Sequence, residues 1–398
     1  MHKTIWFKIH WFFGFIFGIL LLLIGVSGAV LSYEKEILQI INKDTYFVEI
    51  PENKQILSTK EILEKYQTQN PDSKINSISF STNKSSSIVL NIASKDPNNR
   101  RGESIFLNPY TAEVLPQVKG KDFFMFFFKL HRWLTFDGDT QWVGKNAVAL
   151  STIACIILTI GGVIVYWNRI KINFIKSFTF SFKYKNRAFL STMHAAIGMW
   201  VIPFFLLMCL TGLYWSYDWY KSAMYTVMQV EEPKKAIESN KVAKISEEKN
   251  NQNKEEQKQW KIISYDSVQK VVDIFNQNIL REYKNATLKL TPSKDGYYTI
   301  SYLYANATHS RETNFIEIDP NKSLVVKESK FEDKKLNEKI MSSILPLHNG
   351  EYFGWFGQFA YFISSALMSL FVITGYMLYY DRYKKNRVKV QKIAKEEI

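Results

Sequence analysis

Long apolar runs alternate with polar stretches along the chain, and this alternation predicts its elements. Four runs are almost free of charged residues, and each is long enough to cross the roughly 30 Å of bilayer hydrocarbon as a helix. We therefore predict a multi-pass protein whose environment is the lipid bilayer. The four predicted transmembrane spans cover residues 9–32, 143–167, 189–216 and 355–380.

The first apolar run also resembles a signal peptide, because Lys3 and Lys8 precede it. It is longer than the 7–15 residues of a typical signal core, however, and no A-x-A-like cleavage site follows it. We expect it to be retained as a span.

The polar segments 34–121 and 217–345 carry the alternating pattern of β-strands. In the first, we predict a helix over 59–66 and strands over 75–80, 87–93 and 103–107. In the second, we predict a helix over 264–275 and strands over 286–290, 297–303 and 314–318. Residues 231–259, rich in Lys, Glu, Asn and Gln, are predicted to be a disordered insertion. Each segment is expected to form a small α+β domain.

The net charge of +14 is concentrated in two short segments. Residues 168–188 contain six Lys or Arg and no acid, and the tail 381–398 contains seven Lys or Arg against three acids. By the positive-inside rule, both segments and the N-terminus are cytoplasmic, which places the two α+β domains outside. Because this topology explains the charge, we expect no nucleic-acid partner.

The spans repeat within the chain. At an offset of 184 residues, His10 matches His194, Gly14 matches Gly198, Gly28 matches Gly212, and Ser32 matches Ser216. At an offset of 213, residues 162–169 match residues 375–382. The fold class predicted is therefore an all-α membrane bundle of four helices, built as two tandem two-span repeats.

Four of the six histidines fall at paired places in this repeat, which is unusual for a membrane protein. His10 and His194 lie toward the inner ends of spans one and three, and His131 and His348 lie just before spans two and four. Glycine stands at the opposite ends of these helices. Gly28 is five full turns, about 27 Å, beyond His10 on the same helix face, and Gly212 is related to His194 in the same way.

This arrangement suits two flat cofactors stacked across the membrane. An inner haem would be held by His10 and His194 close to Gly162 and Gly375, and an outer haem by His131 and His348 against Gly28 and Gly212. Two imidazoles close the coordination of iron, which favours electron transfer over oxygen chemistry. Zinc is the weaker alternative, since each pair supplies too few ligands. Exchange of ligands between the pairs stays open.

The segment 123–134 (FFMFFFKLHRWL) is aromatic-rich and precedes span two. It is either an interfacial helix that carries His131 or an outward extension of the span. Arg132 and Trp133 follow His131, and they either contact haem propionates or anchor the chain at the interface.

Several motifs resemble the PepSY-associated transmembrane family of bacteria. They are the opening KIHWFFGFIFGILLLLIGVSGAVLSYEKEI and the segments FKLHRWL, MHAAIGMW and LHNGEYFG. The family includes iron-regulated inner-membrane proteins and di-haem ferric-siderophore reductases. The resemblance implies PepSY-like outer domains, an inner-membrane location, and haem b at His10, His194, His131 and His348.

Two functions of different class follow. The first is an electron conduit with two haems b, possessing no catalytic acid or base, that accepts electrons from a cytoplasmic flavoprotein or quinol and reduces an extracytoplasmic ferric siderophore. No G-x-G-x-x-G fingerprint is present, so the donor is expected to be a separate molecule. The alternative is a non-redox anchor whose outer domains bind peptides, proteases or envelope partners.

Overall fold

The computed structural model describes residues 2–94, 99, 102–233 and 264–396. Its helices are α1 (His2–Leu31), α2 (Glu34–Ile41), α3 (Lys43–Tyr46), α4 (Thr59–Gln69), α5 (Lys121–Trp133), α6 (Gln141–Ile172), α7 (Asn186–Gly212), α8 (Asp218–Val227), α9 (Tyr265–Asn278), α10 (Leu336–Ser342), α11 (Ile344–Asn349) and α12 (Gly354–Glu396). Its strands are β1 (Ile75–Phe80), β2 (Ile88–Ile92), β3 (Glu103–Leu107), β4 (Tyr283–Lys289), β5 (Tyr298–Tyr304), β6 (Asn314–Asp319) and β7 (Leu324–Ser329).

The chain divides into two compact units. The membrane unit consists of Met1–Lys35, Gly120–Val227 and Ser343–Ile398, and the sheet unit consists of Glu36–Lys119 and Met228–Ser342. Each is therefore assembled from separate stretches of sequence.

Four helices of the membrane unit are long and apolar enough to cross a bilayer, as the sequence predicts. Their spanning stretches are Lys3–Leu31, Gly138–Ile172, Asn186–Trp215 and Glu351–Val388. Each is longer than its predicted apolar run, because the helix continues into polar flanks. The longest, α12, continues through most of the basic tail predicted at 381–398, where Lys, Arg and Glu are good helix formers.

The spanning helices pack as a four-membered bundle. α1 packs mainly against α6 and α12, and α7 packs against the same two helices, so α1 and α7 lie at opposite corners. An apolar cluster in this bundle joins Leu21, Phe205 and the free thiols Cys155 and Cys209. The interior of the bundle therefore contains a contiguous apolar cluster.

Two short helices precede spanning helices and carry candidate ligands. α5 is a separate helix rather than an extension of α6, because Leu134 and Thr135 after it have φ values of 53° and 62° and interrupt the chain. α5 packs against α1 and α6, and α11 packs against α7. Both short helices thus rest on the bundle.

The sheet unit is one antiparallel sheet of the order β3-β2-β1-β4-β5-β6-β7, in the part of the chain that the structure describes. Helices α4 and α9 pack on each other, and their apolar faces join one core with the strands. Ile62 and Phe275 from the helices and Ile78, Leu288 and Ile300 from the strands are completely or almost completely buried there. A capping box between Ser58 and Glu61 starts α4, which satisfies backbone donors at its N-terminus.

The expectation of two separate α+β domains therefore needs correction. Strand β1 of the first polar segment pairs with β4 of the second, with Ile78 opposite Leu288 and Ser79 opposite Thr287. Each half alone would leave an open strand edge, and pairing the two edges removes both. The strand pattern of each half is read from the sequence, but a partner about 200 residues away is not.

Two further differences concern the second polar segment. Strand β7 was not predicted, since five of its six residues are exposed and its alternation is weak. Residues 234–259 of the predicted insertion lie outside the described residues.

Candidate functional site

The four predicted histidines lie in the membrane unit and meet in two pairs. His10 of α1 faces His194 of α7, with ring centres 6.4 Å apart, and we call these two residues the core pair. His131 of α5 faces His348 of α11, with ring centres 6.2 Å apart, and we call these two the rim pair. The core pair joins the opposite corners of the bundle, and the rim pair joins the two short helices.

The rings of the core pair are each fixed by one hydrogen bond to a neighbouring helix. Nδ1 of His10 lies 2.9 Å from the carbonyl oxygen of Leu158 in α6. Nδ1 of His194 lies 2.7 Å from Oγ1 of Thr374 in α12, and its ring also contacts Phe371. Both anchors come from the helices that flank α1 and α7.

The anchors of the rim pair come from the helices on which α5 and α11 rest. Nδ1 of His131 lies 3.0 Å from the carbonyl oxygen of Ile24 and 3.2 Å from Oγ of Ser27.

Nδ1 of His348 lies 3.0 Å from both the carbonyl oxygen of Met208 and Oγ1 of Thr211. Met208 stands 184 residues after Ile24, and Thr211 stands 184 after Ser27. The contacts of the two rim histidines therefore match position for position.

These contacts fix the protonation of all four rings. A carbonyl oxygen only accepts, so Nδ1 of His10, His131 and His348 must donate its proton. The hydroxyl of Thr374 donates to the carbonyl of Leu370, so it accepts from His194 in the same way. In each ring Nε2 is then the nitrogen with the lone pair, and it has no hydrogen-bond partner among the described residues. Metal-binding imidazoles are commonly oriented by such a second hydrogen bond.

The spacing of the rings suits one metal ion between each pair. A metal–nitrogen bond of about 2.0 Å and a distance of about 1.1 Å from nitrogen to ring centre put two opposed imidazoles about 6.2 Å apart. The core pair at 6.4 Å and the rim pair at 6.2 Å are close to this value. Haem iron is the metal that commonly takes two opposed imidazoles.

The predicted glycines divide into two groups. A Cβ built at Gly28 would lie 3.1 Å from Cε1 of His131, and one at Gly212 would lie 3.1 Å from Cε1 of His348. A Cβ at Gly162 would lie 3.5 Å from Cε1 of His10, and one at Gly375 would meet no described atom within 4 Å. Gly28 and Gly212 thus give the rim imidazoles space against α1 and α7.

The backbone after α11 requires another glycine. Gly350 has a φ of 83°, and a Cβ there would lie 2.7 Å from the carbonyl oxygen of Gly357 and 2.8 Å from the ring of Tyr361. The left-handed conformation and the close approach both favour glycine. This turn ends α11 directly after His348 and leads into α12.

The rim imidazoles are held in the neutral form. Burial lowers the pKa of both, and the positive charge of Arg132 lowers each further. For His348, burial and then the proximity of His131 bring the pKa to about 3. The neutral ring is the form that binds a metal.

Several residues at these sites were not identified from the sequence. Ser27 and Thr211 obey the 184-residue offset, so the repeat alone could have indicated them. Thr374 corresponds to Gly161 at the offset of 213, and no sequence signal marks it. Trp215, whose ring centre is 5.4 Å from that of His348, corresponds to Leu31 and was also missed.

A structural zinc site has no support among the residues that the structure describes. No group of three or more His, Cys, Asp or Glu side chains is arranged there to hold a metal ion. Each histidine pair alone supplies two of the four ligands that zinc normally takes.

Comparison with known proteins identifies one family. The model of the PepSY-associated TM region matches residues 7–382, which is nearly the whole chain. No curated protein matches the chain.

Proposed function

This chain belongs to the family of the PepSY-associated TM region, and from that premise we propose that its two histidine pairs each hold one haem b and carry electrons across the membrane. The two-haem arrangement follows the tandem repeat proposed for the spans. The sheet unit, proposed to be PepSY-like, would lie on the side of the electron acceptor.

One observation carries this proposal. The ring centres of both pairs are about as far apart as two ligands of one metal ion require, at 6.4 Å and 6.2 Å. All four rings are fixed through Nδ1, and the pairs are supplied by different helices. An arrangement that served packing alone would have no need to keep four imidazoles in the same tautomer.

In this proposal, the protein's own residues bind the haems and orient the histidine rings. His10, His194, His131 and His348 would hold the haem irons through imidazole nitrogens, and their Nδ1 acceptors fix the planes of the rings. A haem iron held by two imidazoles supplies one-electron transfer without an open position for oxygen. The apolar cluster around Leu21 and Phe205 is buried in the bundle core, so burial of the haems by the protein would tune their potentials.

The direction of transfer is proposed from the charge distribution. The basic segments 168–188 and 381–398 favour a cytoplasmic location for both termini, in the inner membrane of a bacterium. Electrons would enter at the core pair from a flavoprotein or quinol and leave at the rim pair.

A ferric siderophore is the proposed acceptor. Siderophores bind Fe(III) through hard oxygen ligands, and reduction to Fe(II) weakens such complexes. The protein would then act in iron assimilation as a ferric-siderophore reductase whose side chains perform no acid–base chemistry.

A reduced-minus-oxidised visible spectrum with haem-to-protein stoichiometry tests the proposal. The purified protein is expected to contain two haems b, and His10→Ala and His131→Ala are each expected to lose about one. His2→Ala and His309→Ala are the matched controls, since neither histidine falls at a paired place in the sequence repeat, and both variants should keep two haems.

A protein that stays colourless after reconstitution with ample haem would overturn the proposal. The non-redox anchor would then become the better explanation of the sheet unit.

A further inference from the structure

The loop between α6 and α7, residues 173–185, turns back along the bundle. The indole N–H of Trp200 donates to the carbonyl oxygen of Phe178 at 3.0 Å, and the two ring centres lie 5.2 Å apart. Trp200 lies about 21 Å along the axis of α7 from Asn186, the first residue of that helix. Its side chain leans toward the start of the helix but spans only part of that distance. The loop therefore lies beside the interior of a spanning helix.

The loop is also attached to α6. The hydroxyl of Tyr166 donates to the carbonyl of Ser177 at 3.4 Å, and Ser177 is completely buried. The guanidinium of Arg169 donates to the carbonyl of Lys176 at 3.3 Å. Because both donors belong to α6, the short 3-10 turn Ile175–Phe178 is held by α6 on one side and α7 on the other.

Large apolar side chains are exposed on and beside this loop. Four of them expose between 60% and 84% of their surface, namely Ile172, Phe174, Ile175 and Phe182. The exposed ring of Trp200 extends this apolar surface onto α7. Contiguous exposed apolar side chains are typical of a protein or membrane contact. Since the loop joins two spanning helices and lies along one of them, the adjacent apolar phase is the bilayer.

The charge of the loop complements an anionic membrane. Residues 168–188 contain six Lys or Arg and no acid. Exposed lysines and exposed apolar residues adjoin in sequence, in the pairs Lys171 with Ile172, Ile175 with Lys176, and Phe182 with Lys183. A lysine stem can lie along apolar surface while its ammonium group reaches the lipid phosphates. Clusters of about four to eight Lys or Arg next to a span are typical of binding sites for anionic lipids.

We propose that the α6–α7 loop inserts its apolar side chains into the adjacent leaflet and binds the phosphate groups of anionic phospholipids through its lysines. A soluble acidic protein would complement the charge of the loop but not its exposed apolar side chains. The loop is thus a lipid-binding surface rather than a linker in water. This inference goes beyond the proposed function and requires no haem.

Electron paramagnetic resonance of the full chain in vesicles tests the insertion. Ile175→Cys and Phe182→Cys, each with a nitroxide label, are reconstituted in phosphatidylcholine mixed with phosphatidylglycerol. Oxygen concentrates in hydrocarbon and a nickel chelate stays in water, so oxygen should relax both labels more than the chelate does. Asp72→Cys, at an exposed position of the sheet unit, should show the reverse. Cys155 and Cys209 are buried, and unmodified protein labelled in parallel measures their background.

A second measurement tests the preference for anionic lipid. The ratio of the association constants of spin-labelled phosphatidylglycerol and phosphatidylcholine is measured for the protein in vesicles. We expect this ratio to fall about fivefold or more in the fourfold variant Lys171→Gln, Lys176→Gln, Lys183→Gln, Lys185→Gln. The ratio should stay constant in a control that removes four exposed lysines of the sheet unit, Lys65→Gln, Lys270→Gln, Lys322→Gln, Lys327→Gln.

The outcomes decide both parts of the inference. Labels that the nickel chelate relaxes more than oxygen does would overturn the insertion and leave the loop as a surface for a soluble acidic partner. An unchanged ratio in the loop variant, or an equal fall in both fourfold variants, would overturn the binding of anionic lipid by the loop. A fall confined to the loop variant, with both labels in hydrocarbon, supports the inference whether or not the protein binds haem.

Discussion

In both the rim pair and the core pair, each imidazole is fixed by a hydrogen bond at Nδ1. The two pairs differ in whether their two acceptors are alike. At the rim, His131 and His348 are each held by a carbonyl and a hydroxyl at equivalent positions. At the core, His10 is held by a carbonyl and His194 by the hydroxyl of Thr374. What both pairs keep is an acceptor at Nδ1, whichever chemical group provides it.

The difference follows from the helices that carry the rings. A rim histidine is carried by a short helix that rests on a spanning helix, at a place where the spanning helix has both a glycine and a carbonyl that accepts a further hydrogen bond. The intrahelical bonds of a spanning helix use its carbonyls already, and a Ser or Thr at the next turn supplies a second acceptor. At the core, the hydroxyl of Thr374 donates its proton to the carbonyl of Leu370, and its oxygen accepts from Nδ1 of His194. The hydroxyl of Thr374 is therefore the acceptor for His194, as the carbonyl of Leu158 is for His10.

The largest effect is expected where the rim rings touch glycine. In the double variant Gly28→Ala, Gly212→Ala, each new Cβ would lie 3.1 Å from an imidazole carbon and push the ring away. We expect loss of most of the haem proposed at the rim pair and retention of the haem proposed at the core pair, measured by stoichiometry and spectrum. Gly14→Ala with Gly198→Ala is the matched control, since the nearest atoms there are 3.6 Å and 3.9 Å away. Equal loss of haem in both double variants would show that Gly28 and Gly212 have no special role beside the rim histidines.

A smaller effect is expected from the hydroxyl at the core. Thr374→Val keeps the shape but removes the acceptor of His194, and Thr374 is only 4% exposed, so water cannot readily replace it. Loss of such an outer-shell partner typically weakens metal binding 10- to 100-fold. Titration of the apoprotein with haem measures this change. Thr374→Ser should bind as the unmodified protein does, and a weak Ser variant would point to packing rather than hydrogen bonding.

The smallest effect is expected from the hydroxyls at the rim. Ser27→Ala with Thr211→Val leaves the carbonyls of Ile24 and Met208 in place, so each ring keeps one acceptor. A lost hydrogen bond of this kind contributes about 0.5–1.5 kcal/mol, so haem affinity should fall less than in Thr374→Val. The same haem titration compares them. A larger loss at the rim would show that its hydroxyls, and not its carbonyls, are the principal acceptors.

The sequence predicted the elements well wherever one periodicity dominated. The four apolar runs correspond to spanning helices, and strands β1 and β3 have the predicted bounds of 75–80 and 103–107. The pairing of β1 with β4 could not be predicted, because alternation defines the faces of a strand but not its neighbour. Helix ends were also missed, since α12 continues where the apolar pattern has already stopped.

The histidine pairs were within reach of the sequence because the repeat aligned four rare residues. Their acceptors were less accessible. Ser27 and Thr211 share the offset of the repeat, but serine and threonine are ordinary in spanning helices. Thr374 stands where the first half has Gly161, so a search for equivalent residues discards it. A substitute that preserves an interaction while changing the chemical group leaves no pattern to detect.

The pairing of β1 with β4 also means that the sheet is completed late in synthesis of the chain. β1 is made about 200 residues before β4, which at the usual pace of translation is a delay of about 10–40 s. Until then the first three strands have an unpaired edge at β1, the kind of surface that invites aggregation. Completion of the sheet therefore waits until the second polar segment has been synthesised.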